Sequence, residues 1–416
     1  MLKSDALPST PTTARWVRLL ALFTLAGFVE TVFYGQLSAF TPLYLPHLGV
    51  PPENVAAWVG AIASITSIVG ILFLPLWGAL ADRYARQPVI VRSFLVELIA
   101  AGVMLLAGNI WVFVIARTLT SLSLGNSGLM MATLSERAPQ KRMGLAFAIM
   151  NGAPPVGAFL GPLASGPILD RWGFPALMLI DCGLLLAISL LLAFGYRDTF
   201  KGAARGPLLA MAAGSLQIIT RTPALRTLFL ALILLFGGWT LAFTFAPLAV
   251  TRVYQGSQPG TAVGLVLGLG GMAALLFSPL VGLLADRFGH VRIMLIGVGL
   301  AVMLWPLLYF TRSLAAFSAV WLLVAGVVSA TFAISFSVLS ATADSSVRGR
   351  VMSFAYLPMN LGFLVGPALG SLIARRNVFL VYPLVSLLML LGLGVLAYAW
   401  RTGLIGTQAP GPSQAS

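Results

Sequence analysis

Charge is scarce in this chain of 416 residues: acidic and basic side chains together make up 9% of it, against roughly a quarter in a soluble domain. An ordinary soluble protein is thereby excluded. Cysteine is limited to Cys182, so an internal disulfide and a thiolate metal cluster are both out of reach. The two histidines, His47 and His290, fall on opposite sides of the span pattern set out below and cannot share an ion, so no metal site is expected. G-x-S-x-G, the P-loop and any Cys/His constellation are lacking, which argues against a membrane-embedded enzyme and against ATP-driven transport. Disorder is excluded from the other direction, because 59% of the residues are hydrophobic and the mean hydropathy is +0.97.

What remains is a polytopic membrane protein. Apolar runs fall at roughly 17–41, 55–80, 88–108, 110–133, 144–168, 174–195, 225–250, 260–285, 291–310, 314–339, 350–373 and 378–400, each near the ~20 residues that cross a bilayer as a helix. In a soluble protein the net charge of +14 would suggest a nucleic-acid partner. Here it is the side each charge occupies that matters, and no nucleic acid is expected. Nineteen of the 25 Lys and Arg residues share the side of the N-terminus, five lie opposite and Arg117 falls inside a span, so both termini are expected in the cytoplasm. The spans divide into a tail over 1–16, a six-helix half over 17–195, a linker over 196–224, a second half over 225–400 and a polar tail over 401–416. Residues 207–220 suit either an amphipathic helix on the inner surface or a flexible tether.

The halves are duplicates. Residues 75–83 read PLWGALADR and residues 279–287 read PLVGLLADR, with seven identities in nine. At an offset of 205, Gly157, Gly161 and Pro162 recur as Gly362, Gly366 and Pro367. Small residues also recur every four positions in the second, fifth, eighth and eleventh spans, for example Ala56, Gly60 and Ser64, or Gly260, Gly264 and Gly268. Such ladders let helix backbones approach closely in lipid.

The run G-x-L-A-D-R-x-x-R from Gly78 to Arg86 resembles the loop signature after the second span of the major facilitator superfamily, and the resemblance extends over about residues 15 to 400. Gly157, Gly161, Pro162 and Gly166 are similar to the fifth-span motif of its twelve-helix drug:proton antiporters, and NIWVFVIAR at 109–117 to their fourth-span motif. Ala85 stands where the signature has Gly, Gln87 replaces a basic residue, Ser121 a Gly, and His290 the second-half Arg. The resemblance implies an all-α fold of two six-helix bundles and export of small, largely hydrophobic compounds, driven by a proton gradient with no cofactor. It also implies a bacterial cytoplasmic membrane as the setting, and a monomer is expected. Import or export of a metabolite or sugar, and a non-transporting receptor or membrane enzyme, are the alternatives. Gating falls by resemblance to Gly78, Asp82, Arg83 and Arg86 with Gly282, Asp286 and Arg287, and packing between bundles to Gly157, Gly161, Pro162, Gly166, Gly362, Gly366 and Pro367.

Ionisable groups inside spans are costly and are candidates for function by default. Glu30, Arg117 and Asp181 are expected at a common depth about 10 Å below the outer surface at 1.5 Å per residue, and all three are candidates for proton coupling. Glu30 leads, because by resemblance the first span lines the central cavity and Tyr34, itself a candidate for the substrate cavity, extends the same helical face. A permanent Glu30–Arg117 ion pair is the competing reading. Glu97 comes nearer the inner face, and by resemblance its span is peripheral, as is that of Asp181, which favours a structural polar contact. The second half has no ionisable residue deep in a span. It offers Trp239, Phe243, Phe245, Phe332, Phe336 and Tyr356, candidates for a wall against apolar or aromatic cationic ligands, with packing against neighbours as the plainer alternative.

Overall fold

The computed structural model describes residues 13–83, 86–123, 126–139, 142–196, 217–344, 347, 351–352 and 354–406, without the side chains of 13–15, 74–83, 144 and 148. Most of the linker and most of the two tails lie outside these residues. So do the side chains of Asp82 and Arg83 and the surroundings of Gly78, three of the candidate gating residues. Inner and outer denote below the sides that the basic residues assign.

The described residues are helical: α1 Thr13–Tyr44, α2 Val55–Arg83, α3 Arg86–Leu105, α4 Ile110–Leu119, α5 Asn126–Arg137, α6 Met143–Gly195, α7 Pro223–Val253, α8 Pro259–Phe288, α9 His290–Leu304, α10 Leu314–Thr342, α11 Leu357–Ala374 and α12 Val381–Arg401. Their lengths do not map one to one onto spans. A straight helix as long as α6 would measure about 80 Å at 1.5 Å per residue, far more than a hydrocarbon core of about 30 Å. It reverses at Gly173, whose φ of 78° and ψ of 174° no side chain tolerates, and so supplies the fifth and sixth spans. Helices α4 and α5 are both short, and with the 3-10 turn Thr120–Ser123 they make the fourth span in two pieces. Ten of the described helices are long and apolar enough to cross a membrane. The doubled α6 and the paired α4 and α5 bring these to the twelve spans of the hydropathy pattern.

Two helices, α4 and α10, begin on a residue whose side chain caps them. Asn109 accepts from the N–H groups of Trp111 (3.0 Å) and Val112 (3.1 Å), and Ser313 accepts from Ala316 N, satisfying donors that a helix start leaves unpaired. Large apolar side chains such as Leu106, Phe194 and Met303 stay outside the core, as expected where lipid is the solvent. Within the first half α1 packs on α6 and α3 on α6, and within the second α7 packs on α11 and α12 and α8 on α10. Two helix pairs make the main contact between the halves, α6 with α8 and α2 with α11, and α1 also touches α7 and α8 and α2 touches α7.

The turn at Gly173 gives a direct check. Gly173→Ala should cost about 1–3 kcal/mol, read as a lower unfolding midpoint in detergent. Gly183→Ala should not lower the midpoint, since nothing lies within 4 Å of where its Cβ would sit and alanine is the better helix former.

Candidate functional site

The first half gathers its buried polar groups around Tyr34. The 3-10 turn after α4 interrupts the helical ladder, and the Thr120 carbonyl there accepts from the Tyr34 hydroxyl at 2.8 Å, with Ser123 Oγ 2.6 Å from that hydroxyl. One turn earlier on α1, half-buried Glu30 faces Asn126 of α5. Glu97 of α3 is wholly buried behind Tyr34 and Ser123, with Glu30 as a charged neighbour, and neither of its oxygens makes a well-formed hydrogen bond. Arg117, half-buried, lies close enough to act on Tyr34 electrostatically. No ion pair within 4 Å joins Glu30 to Arg117 among the described residues.

Two expectations change here. Asp181 stands apart from the cluster, accepting from Gln36 Nε2 at 3.2 Å, about 9 Å further out along α1 than Glu30 at 1.5 Å per residue. The common depth fails because α1 continues to Tyr44, which leaves Glu30 about 21 Å from its outer end. Glu97, in turn, is a central member of the cluster. The signal was available in the sequence: a lone carboxylate in an apolar run, as costly to bury as Glu30.

The second half presents rings instead of charges. Phe236 and Phe332 lie 4.2 Å apart, Trp239 meets Phe332 edge-on at 5.9 Å and Phe243 at 5.7 Å, and Phe336 meets Tyr356 at 5.1 Å. Trp239, Phe243, Phe332 and Phe336 are half-buried and Tyr356 is exposed, so this wall keeps open surface. Fully buried Trp305 and Trp321 back Trp239 at 6.3 Å. Phe245 is not part of the wall, being buried against Gly370 where α7 meets α11. Helices α1 and α7, which carry Glu30 and Trp239, touch across the halves.

The seams between the halves are made of bare backbone. A Cβ on Gly60 would lie 2.5 Å from the Pro367 carbonyl oxygen, one on Gly264 would collide with the Pro162 carbonyl, and one on Gly166 would lie 2.5 Å from the Gly260 oxygen. Ser64 Oγ donates to the Leu364 carbonyl at 2.9 Å. The expectation for Gly157, Gly161, Gly362 and Gly366 is corrected: all four face their own half. Gly157 and Gly161 admit the α1 backbone at Phe28 and Val32, and Gly362 and Gly366 admit α7 at Phe236 and Gly237. At 100° per residue Gly166 is turned about 140° from Gly161, so one helix serves two neighbours. All these seam contacts lie in the outer half of the bundle. At the inner end Gly282 has nothing within 4 Å of a Cβ position, and Asp286 and Arg287 are exposed.

The loop motifs differ between halves. Arg86 is buried and pairs with Glu136 at 2.8 Å. Gln87 donates from Nε2 to the carbonyls of Leu192, Ala193 and Tyr196, closing the end of α6. In the second half Asp286 meets His290 at 3.3 Å and Arg287 lies over Phe288. Glu136 and the capping role of Gln87 had no signature in the sequence.

A family model described as Major Facilitator Superfamily matches residues 19–274 and 228–413. Among curated proteins, Multidrug resistance protein MdtG of Citrobacter koseri is 28% identical over 371 residues, covering 88% of this chain and 90% of that one. Its namesake in Klebsiella pneumoniae is 26% identical over 382 residues, 90% of this chain and 92% of that one. Among solved structures, a bacterial homologue of the human lysosomal transporter Spinster, in an inward-facing and unoccupied conformation, superposes with a TM-score of 0.78 at 14% identity, covering 96% of this chain and all of that one. The human organic anion transporter MFSD10 gives 0.67 at 18% identity, covering 92% and 99%.

The inequality of the motifs is testable. Arg86→Ala should cost about 1–2 kcal/mol, between an exposed pair and a charged buried hydrogen bond, with Glu136→Ala adding little in the double variant. His290→Ala should stay within about 0.5 kcal/mol in the same detergent unfolding assay.

Proposed function

The chain belongs to the Major Facilitator Superfamily, and from that premise we propose that it is a proton-coupled exporter of small, largely hydrophobic compounds, working by alternating access in a bacterial cytoplasmic membrane with both termini inside. One observation carries the reading: a half-buried carboxyl, Glu30, backed by a fully buried one, Glu97, on a half whose α1 meets the α7 of the aromatic wall. A second negative charge beside the first is costly in a site screened from water. The pair therefore holds a proton when no cation is near and releases it when substrate arrives against the rings. Tyr34 ties the pair to the turn at Thr120–Ser123, and Arg117 limits how much negative charge the cluster carries. The wall of Trp239, Phe243, Phe332, Phe336 and Tyr356 supplies apolar and cation–π contact without fixed hydrogen bonds, which suits varied compounds over one polar metabolite. The name of the MdtG relatives supports the same class.

The glycine-to-carbonyl seams support the rocking motion, because surfaces without interlocking side chains slide at low cost. Gly78, Asp82, Arg83 and Arg86, with Gly282, Asp286 and Arg287, then belong to inner closure. The protein acts as a monomer, each half completing the site of the other.

The test uses proteoliposomes and, as probe, whichever hydrophobic compound most raises the unfolding midpoint of the purified protein. Glu30→Gln and Glu97→Gln should each abolish concentration of that compound by an imposed pH gradient while leaving downhill exchange largely intact. Asp181→Asn should keep gradient-driven transport. Near-native gradient-driven rates in both glutamine variants would overturn the reading.

A further inference from the structure

Helix α8 begins without a cap of its own. Its N-cap residue is Gln258, whose side chain makes no capping hydrogen bond, whereas α4 and α10 use Asn109 and Ser313 from their own sequence. The donors of its first turn are nevertheless filled, and the acceptor comes from the other half. Asp170, near the outer end of the fifth span, takes Gly260 N on Oδ1 at 2.8 Å and both Thr261 N and Thr261 Oγ1 on Oδ2 at 2.7 Å. The fit depends on a missing side chain, since a Cβ on Gly260 would lie 2.8 Å from Asp170 Oδ1.

The repeat shows that this contact is not general packing. The offset of 205 that aligns the glycine-proline motifs puts Arg375 in the place of Asp170, and the offset of 204 puts Ala56 and Ala57 in the places of Gly260 and Thr261. The α2–α11 seam therefore has no carboxylate in the corresponding position. Its outer end instead borders a cleft of about 290 Å³ lined by Glu53, Arg252, Arg375 and Arg376 among others.

The geometry points to Asp170 as the outer latch of the transport cycle, a positioning residue that holds the outer side closed by capping α8 across the seam. The inference rests on the alternating-access reading above. Three hydrogen bonds to a carboxylate at a helix start are charge-assisted and are aided by the partial positive charge there. Opening the outer mouth breaks all three at once and hands the first turn of α8 to water, so the latch biases the equilibrium without touching the polar cluster or the aromatic wall.

The experiment measures spin-label distances in the full-length protein in lipid nanodiscs, on a Cys182→Ala background. One label pair, on Glu53→Cys and Arg312→Cys, spans the outer mouth, and another, on Pro139→Cys and Arg292→Cys, spans the inner. Asp170→Asn should raise the ratio of outer-open to outer-closed molecules about threefold to thirtyfold, with a longer outer distance and a reciprocally shorter inner one. Thr261→Val, which removes only the hydroxyl, should shift both in the same direction by less. Should Asp170→Asn fail to fold, Thr261→Val carries the test. Gly264→Leu, which wedges the seam itself, is the control for motion. If Gly264→Leu moves both mouths and the Asp170 and Thr261 variants move neither, the latch is overturned and alternating access stands. If Gly264→Leu also leaves both mouths fixed, the two fall together.

Discussion

The architecture depends on helix backbones that touch without side chains between them. In lipid no hydrophobic force draws one apolar helix to another, so association relies on close dispersion contact and on the few polar groups available. Gly60 against the Pro367 carbonyl and Gly264 against the Pro162 carbonyl are the same contact made twice, once at each seam, as duplication of a half requires. The division of labour is specific. Helices α2 and α8 bring the small-residue ladder to the seam, while α6 and α11 bring a proline carbonyl and turn Gly157, Gly161, Gly362 and Gly366 inward to α1 and α7, with Gly166 of α6 left facing the seam. Each half is thereby tight within itself and smooth toward its partner.

Scarcity of charge gives the polar groups that remain their weight. Glu30, Glu97 and Arg117 sit in one half and the half-buried rings lie in the other, on α7 and α10, so one bundle carries the buried charge and the other the aromatic surface. The same asymmetry appears at both ends of the molecule. Arg86–Glu136 and the Gln87 cap tie the inner end of the first half, where among the described residues the second has the exposed Asp286–His290 contact and Arg287 over Phe288. Asp170 closes one outer seam, and its counterpart position holds Arg375. Duplicated backbone with divergent side chains yields a symmetric pair of seams and an asymmetric set of polar groups.

Most of the fold was legible because its cause is one-dimensional. Bilayer thickness sets span length, and the repeat PLWGALADR/PLVGLLADR is visible without any structure. Glu30, Arg117 and the aromatic set were legible for a related reason, as polar or bulky exceptions in apolar runs. What escaped was rotational and long-range. Spacing shows that Gly157, Gly161 and Gly166 are small, but the turn of about 140° between the last two decides which neighbour each one meets. Glu97 was set aside because its span was expected at the periphery, although a buried carboxylate draws its partners wherever its helix runs. Asp170 and Glu136 lie at helix ends, where a carboxylate has many local uses, and only the packing of distant segments shows which one applies.

The seam itself admits the most direct measurement. A single cysteine at Ser64, whose hydroxyl meets the Leu364 carbonyl across the α2–α11 contact, can be exposed to an impermeant maleimide from outside in the Cys182→Ala background. Side-chain-free contact predicts slow labelling in the otherwise native protein. A wedge of leucine at Gly264, on the opposite seam, should speed it about tenfold or more, as for a shift of about 1.4 kcal/mol toward the outer-open state, because the two seams open as one motion. Equal labelling rates with and without the wedge would contradict the account.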